Sequence, residues 1–341
     1  MFFEKRFLKV IDQIRLNAPV PLRIELWSGR QFDFCSNPNV TVTIPSSIAY
    51  HYNVSNDFYA LFLDSAMVYS CAYYRHDDDT LVTAQEHKLD HILNKLRLQP
   101  GEKFLDIGFG WGALILRAAQ KYGAIATGIT LSKNQFEAAC KNIKQAGLAA
   151  QCQVLLCDYR DLEEVEAYDK IASVGMLEHV SFKNLPLYFG AIQRLLKTQG
   201  LVLNHGITTT SVESHCMGLG AGEFIDRYVF PDGELPHLSL ALKEMTHAGL
   251  EVLDAESLRR HYARTCEVWS NQLQANRAPA EHLVGERRYR IWQIYLAGCA
   301  YGFSRGWMNL CQVLCSKADN HALQQHPLTR DYMYAPAPGY I

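Results

Sequence analysis

The chain has 341 residues, 48% of them hydrophobic and 20% charged, and its 33 Lys and Arg against 35 Asp and Glu give a formal net charge of −2. These values suit one large globular domain or two unequal ones, and the near-zero charge leaves no electrostatic footprint for nucleic acid. No run of about 18 apolar residues occurs, so no transmembrane helix is expected.

The ten cysteines contain no C-x-x-C pair and no Cys/His metal spacing, so no metal site is expected. Free thiols in that number suit a reducing cytoplasm. Cys311 and Cys315 lie on an apolar stretch and read as core.

Phe2, Phe3, Phe7, Val10, Ile11 and Ile14 recur at helical spacing, with Glu4, Lys5, Arg6 and Lys9 between them. This amphipathic helix could pack on the main domain or lie on a membrane surface with its lysines near headgroups. Lys9 and Asp12 interrupt its apolar stretch, which argues against a signal peptide. Leu22 to Phe34 alternates apolar and polar residues around Ser28-Gly29, as a hairpin does, and Pro38 to Pro45 reads as a linker.

From residue 100 strands and helices alternate. Strands are expected at Lys103–Ile107, Ile125–Ile129, Gln153–Leu156, Lys170–Val174 and Gly200–Asn204. Repeated βα units imply an α/β fold with a parallel sheet covered on both faces. The most telling stretch joins the first strand to a helix at Ala113–Tyr122 through Asp106-Ile107-Gly108-Phe109-Gly110-Trp111-Gly112. Strand, glycine turn and helix together make a nucleotide-type site, because backbone without Cβ can approach a ligand. The spacing is G-x-G-x-G rather than G-x-G-x-x-G. Asp106 would repel a pyrophosphate but attract a cationic ligand such as the aminoacyl end of S-adenosylmethionine.

Ligands in such folds sit beyond the carboxyl ends of the strands. There the sequence places Thr130, Ser132 and Gln135, then Asp158, Tyr159 and Arg160, then Gly175, Met176, Glu178 and His179, then His205 and Ile207. Each has a plainer reading. Thr130 or Ser132 could cap the next helix, Asp158 could pair with Arg160, and His205 could be a satisfied core histidine. Glu178 is costly to bury unpaired, which favours a site role.

Seven ordered segments then resemble one family, the cyclopropane-fatty-acid and mycolic acid cyclopropane synthases. They are His51-Tyr52-Asn53-Val54-Ser55-Asn56-Asp57-Phe58-Tyr59; Tyr69-Ser70-Cys71-Ala72-Tyr73-Tyr74; Leu105 to Gly112; Gly128 to Ser132 with Gln135; Asp158 to Asp161; Met176 to Val180; and Tyr228 to Gly233 with Leu235-Pro236. Tyr295 to Ala300 is similar to a helix of that family. Two departures are Phe109, where the family usually has Cys, and Asn53 for Asp. The segment before His51 is also shorter than in the phospholipid-acting bacterial enzymes.

The resemblance implies a class I methyltransferase (Rossmann-like) fold. Its mostly parallel seven-stranded sheet would carry helices on both faces, a small N-terminal segment (residues 1–45) and helical insertions over the substrate. The domain would span 46–320 and a tail 321–341. It implies S-adenosylmethionine held by Tyr69, Ser70, Asp106, Gly108, Gly110, Thr130, Gln135, Asp158 and Tyr159. It also implies bicarbonate held by Cys71, Glu178, His205, Ile207 (through its backbone) and Tyr295. The implied reaction is methylene transfer to the double bond of an unsaturated acyl chain, giving a cyclopropane through a carbocation that bicarbonate deprotonates. The alternative is C- or N-methylation of a small natural product, or formation of a methyl-branched lipid. A cytoplasmic enzyme is expected, with a homodimer and peripheral contact at the inner membrane face left open.

Overall fold

A computed structural model describes residues 55–213, 221–230, 233–317 and 326–334. The amphipathic helix, the hairpin, the linker, His51 to Val54, Pro231-Asp232 and, apart from residues 326–334, the tail expected above lie outside the described residues.

Seven strands form one sheet: β1 (Lys103–Ile107), β2 (Ile125–Thr130), β3 (Cys152–Leu156), β4 (Tyr168–Val174), β5 (Leu196–Thr209), β6 (Leu250–Ser257) and β7 (Met308–Lys317). Their order is β3-β2-β1-β4-β5-β7-β6. The first five pair in parallel, and β7 runs antiparallel to both β5 and β6. This is the mostly parallel α/β sheet expected. β5 is much longer than Gly200–Asn204, because β7 pairs with it from Leu201↔Ser316 to Thr209↔Met308. His205 and Ile207 therefore sit inside a strand, not beyond its end.

Alternation along the strands divides the core. On one face, Phe104 and Ala126 meet α2 (Leu81–Lys95), α3 (Ala113–Tyr122) and α4 (Lys133–Gln145), which follow the short α1 (Asn56–Ala60). On the other face, Leu105, Ile107 and Ile171 meet α5 (Leu185–Leu195) and, beyond α6 (Ala221–Tyr228), α7 (Leu238–His247). Burying such side chains contributes roughly 1.5–3 kcal/mol each before entropy is counted. Cys311 and Cys315 are 3% and 1% exposed on β7, as core residues are.

Between β6 and β7 the chain inserts a helical hairpin, α8 (Arg259–Ala275) and α9 (Arg277–Arg305), with α9 broken at Gly285, where φ is 78° and ψ is 154°. Trp269 and Trp292 from this hairpin pack with Phe58, Tyr59 and Cys71 into a third, aromatic-rich core. Among the described residues, no helix is long and apolar enough to cross a membrane.

Candidate active site

The chain leaves β3 at one edge and re-enters at β4 on the far side of β1. The carboxyl ends of β1 and β4 thus diverge, and a crevice must open there. It holds a cavity of about 240 Å³. All nine residues expected to hold S-adenosylmethionine line it: Tyr69, Ser70, Asp106, Gly108, Gly110, Thr130, Gln135, Asp158 and Tyr159.

Local structure explains each placement. Gly110 has φ +60°, and a Cβ built on it meets nothing within 4 Å, so its backbone faces open cavity. Trp111 Nε1 donates to Asn56 Oδ1 at 2.9 Å, and its ring lies 5.1 Å from that of Tyr59. The first family-like segment is thereby docked on the glycine turn. Ser132 caps α4, accepting from Gln135 N, whereas Thr130 Oγ1 donates to Gln135 Oε1 at 3.0 Å. The capping role therefore belongs to Ser132, and Thr130 faces the cavity. Asp158 accepts from Arg160 Nε at 2.8 Å and Nη2 at 2.7 Å, so the local pair does form, on the cavity wall. Phe109 lines the same wall, its ring filling the space that a Cβ on Gly128 would need.

Asp106 is 2% exposed and its Oδ1 has no partner. Burial pushes its carboxyl up to about 7, against the pull of the Lys88 ammonium. Lys88, 2% exposed and also in the cavity wall, donates to Ser70 Oγ at 2.9 Å. Sequence reasoning missed Lys88. A lysine on an amphipathic helix reads as solvated surface, and only the docking of α2 against β1 makes it part of the site.

Cys71, Glu178, His205, Ile207 and Tyr295 do not line the cavity. They gather beside it. Met176 and His179, which flank Glu178, do line the wall, and Cys71, Ile207, Tyr262 and Tyr295 share the aromatic core with Tyr69. β4 ends at Val174, opposite His205, while β5 runs on to Thr209. Glu178 Oε1 accepts the Ile207 N–H at 2.7 Å on that uncovered edge. The Ile207 backbone thus orients the Glu178 carboxyl in this structure. Gly206 permits the approach, since a Cβ there would meet Leu177 Cβ at 2.7 Å. The Cys71 thiol points at backbone, 3.3 Å from Ala72 O and 3.8 Å from Leu258 O. Burial raises its pKa and keeps it a thiol.

Two polar atoms beside the cavity stay open. Glu178 Oε2 is buried without a partner, and burial pushes that carboxyl up to about 7. His205 Nε2 is also buried without a partner. Burial first, then the Lys88 and Lys95 charges, hold the His205 pKa well below its ordinary value, so the ring is neutral. Gln312 Nε2 lies 3.1 Å from His205 Nδ1 and can only donate, which leaves the ring hydrogen on Nε2. One unpartnered acceptor and one unpartnered donor thus lie on linked segments, since Glu178 is bonded to Ile207, two residues beyond His205 on β5.

The family described as mycolic acid cyclopropane synthetase matches residues 42–313. The chain belongs to that family. A probable fatty acid methyltransferase of Pseudomonas putida is 50% identical over 92% of this chain and 96% of its own length. Cyclopropane mycolic acid synthase 1 of Mycobacterium tuberculosis is 38% identical over 80% of this chain and 97% of its own. Among solved structures, the cyclopropane synthase MmaA2 of Mycobacterium tuberculosis superposes with a TM-score of 0.76 at 33% identity, covering 80% of this chain and 98% of that one. The mycolic acid cyclopropane synthase CmaA1 complexed with SAH and CTAB gives 0.75 at 38%, with the same coverage. The chain is thus an enzyme of the methyltransferase class with the class I fold, as its seven segments imply.

Proposed function

We propose that this family member transfers a methylene group from S-adenosylmethionine to the double bond of an unsaturated acyl chain, giving a cyclopropane. The residues present fit both required groups. The glycine turn offers bare backbone, and Asp106 Oδ1 offers an unmet acceptor for an ammonium. For bicarbonate, the donor at His205 Nε2 and the acceptor at Glu178 Oε2 match an anion that also carries one hydroxyl.

When bound, the methyl donor supplies an electrophilic carbon, and bicarbonate supplies a base for the proton lost from the added methyl. The protein's share is placement and exclusion. Tyr69, Ser70, Thr130, Gln135, Asp158 and Tyr159 would hold and orient the donor. Ile207 N–H steers the Glu178 carboxylate, and Gln312 sets the His205 tautomer. Cys71 and Tyr295 would complete the wall of the anion site. The aromatic core around Tyr69, Trp269 and Trp292 keeps water from a carbocation. A bound anion as base also leaves no nucleophilic side chain to be alkylated, because Cys71 stays a thiol.

The observation that carries this reading is the complementary open pair, Glu178 Oε2 and His205 Nε2. The test is incubation with isotopically labelled S-adenosylmethionine and a lipid extract, read by mass spectrometry. Addition of one CH2 with loss of the alkene signal is expected. Addition of CH2 with the alkene retained would instead assign a methyl-branched product.

A further inference from the structure

Helix α2 carries two buried lysines, Lys88 and Lys95, two turns apart on one face. Lys95 Nζ meets Glu256 Oε2 at 2.6 Å and Asp254 Oδ2 at 3.4 Å, a structural ion pair. Among the described residues, Lys88 forms no ion pair. Its hydrogen bond goes to the neutral Ser70 hydroxyl at 2.9 Å. Asp64, the charge that acts most strongly on it, already accepts from Ala66 N at 3.0 Å and Val68 N at 2.8 Å. Gln85, three residues before Lys88, donates to Ser70 O at 2.9 Å and so pins the Tyr69–Ser70 segment to α2.

A buried ammonium without a carboxylate partner is costly. Lys88 nevertheless lines the same cavity as Asp106, whose Oδ1 is unpartnered. The inner wall thus shows one cationic and one anionic group, each incompletely met, around a hydroxyl. An α-amino acid at neutral pH is the complement, with a carboxylate and an ammonium on one carbon. We infer that Lys88 and Asp106 together read the zwitterionic amino-acid end of the methyl donor, with Lys88 the counter-charge for its carboxylate. The inference rests on the methyl-donor reading above. It also accounts for the pKa directions: burial draws Lys88 down to about 8 and Asp106 up to about 7, and a bound zwitterion would hold both groups charged.

The test is calorimetric binding to the full-length protein, without turnover. Three ligands are compared: S-adenosylhomocysteine, its decarboxylated analogue, and 5′-methylthioadenosine, which lacks the amino-acid end. The wild type should prefer S-adenosylhomocysteine to the decarboxylated analogue by about 10- to 100-fold, the worth of one charged hydrogen bond. Lys88→Met should erase that preference while leaving methylthioadenosine within about twofold. Lys88→Arg should restore part of it. Equal wild-type affinity for the first two ligands would overturn the inference even if Lys88→Met fails to fold. Equal loss of all three ligands in Lys88→Met would assign Lys88 a purely structural role. No wild-type binding of S-adenosylhomocysteine would overturn the methyl-donor reading itself, and this inference with it.

Discussion

Replacing Glu178 with glutamine should remove activity and add stability, and the two effects share one cause. The amide keeps an oxygen for the Ile207 N–H but puts a donor where Oε2 offered an acceptor. Loss of one preorganised electrostatic group costs about 10²- to 10³-fold in kcat, roughly 3–4 kcal/mol. Folding responds in the opposite direction. Burial raises the Glu178 carboxyl from 4.5 to about 7 in the native state. A group raised on folding contributes its stability fully below its unfolded pKa and loses it as pH rises through the folded one. At pH 8 the ionised side chain therefore opposes folding by about 3 kcal/mol, and at pH 5 by under about 1 kcal/mol. Glu178→Gln should thus raise Tm by about 4 °C at pH 8 for a chain of this length, and by much less at pH 5. Thermal melts at both pH values, beside the labelled-methyl assay, check this. Unchanged turnover would remove Glu178 from the mechanism, and a stability gain that ignores pH would refute the account of a buried, desolvated carboxylate.

Three further outcomes are expected. Methyl transfer should rise with pH through about 7 in the wild type, as Glu178 ionises to accept from the anion; a flat profile between about pH 6 and 8 would contradict that role. Gly110→Val should abolish S-adenosylhomocysteine binding by calorimetry, because it sets a branched side chain in open cavity at φ +60°. Lys95→Met should destabilise the fold in urea melts by less than the ~3–5 kcal/mol of a fully broken buried pair, because Glu256 keeps His91 and Asp254 keeps Arg330, while cofactor affinity stays unchanged.

Much of the architecture was legible because its signals are local. β1 and α3 fall on the residues expected, Lys103–Ile107 and Ala113–Tyr122, since left-handed glycines at 112 and 123 bound the helix. Most residues expected to hold the cofactor were legible for a related reason. Asp106, Gly108, Gly110, Thr130, Gln135, Asp158 and Tyr159 end or follow strands, and a parallel sheet brings the ends of its strands to one side, whereas Tyr69 and Ser70 precede the sheet and were legible through the family resemblance alone. β6 and β7 were not legible. The stretch Met308–Lys317 is buried almost throughout, so it lacks the two-residue alternation that marks a half-exposed strand. Its pairing partner lies about a hundred residues earlier, beyond any local pattern.

The sequence by itself determined that a parallel α/β domain would carry a glycine turn beside an acidic residue, with Glu178 and His205 as polar groups in apolar surroundings. Those are properties of composition and short-range order. The tertiary structure decided which of their atoms are open. Glu178 Oε2 is available because Ile207 takes Oε1, and His205 Nε2 is a donor because Gln312, on a strand the sequence did not disclose, occupies Nδ1. It also decided that Lys88 faces the cavity while Lys95, on the same face of α2, is locked in an ion pair. Helical spacing gives both lysines one direction, and only the packing of α2 against the sheet gives them different neighbours.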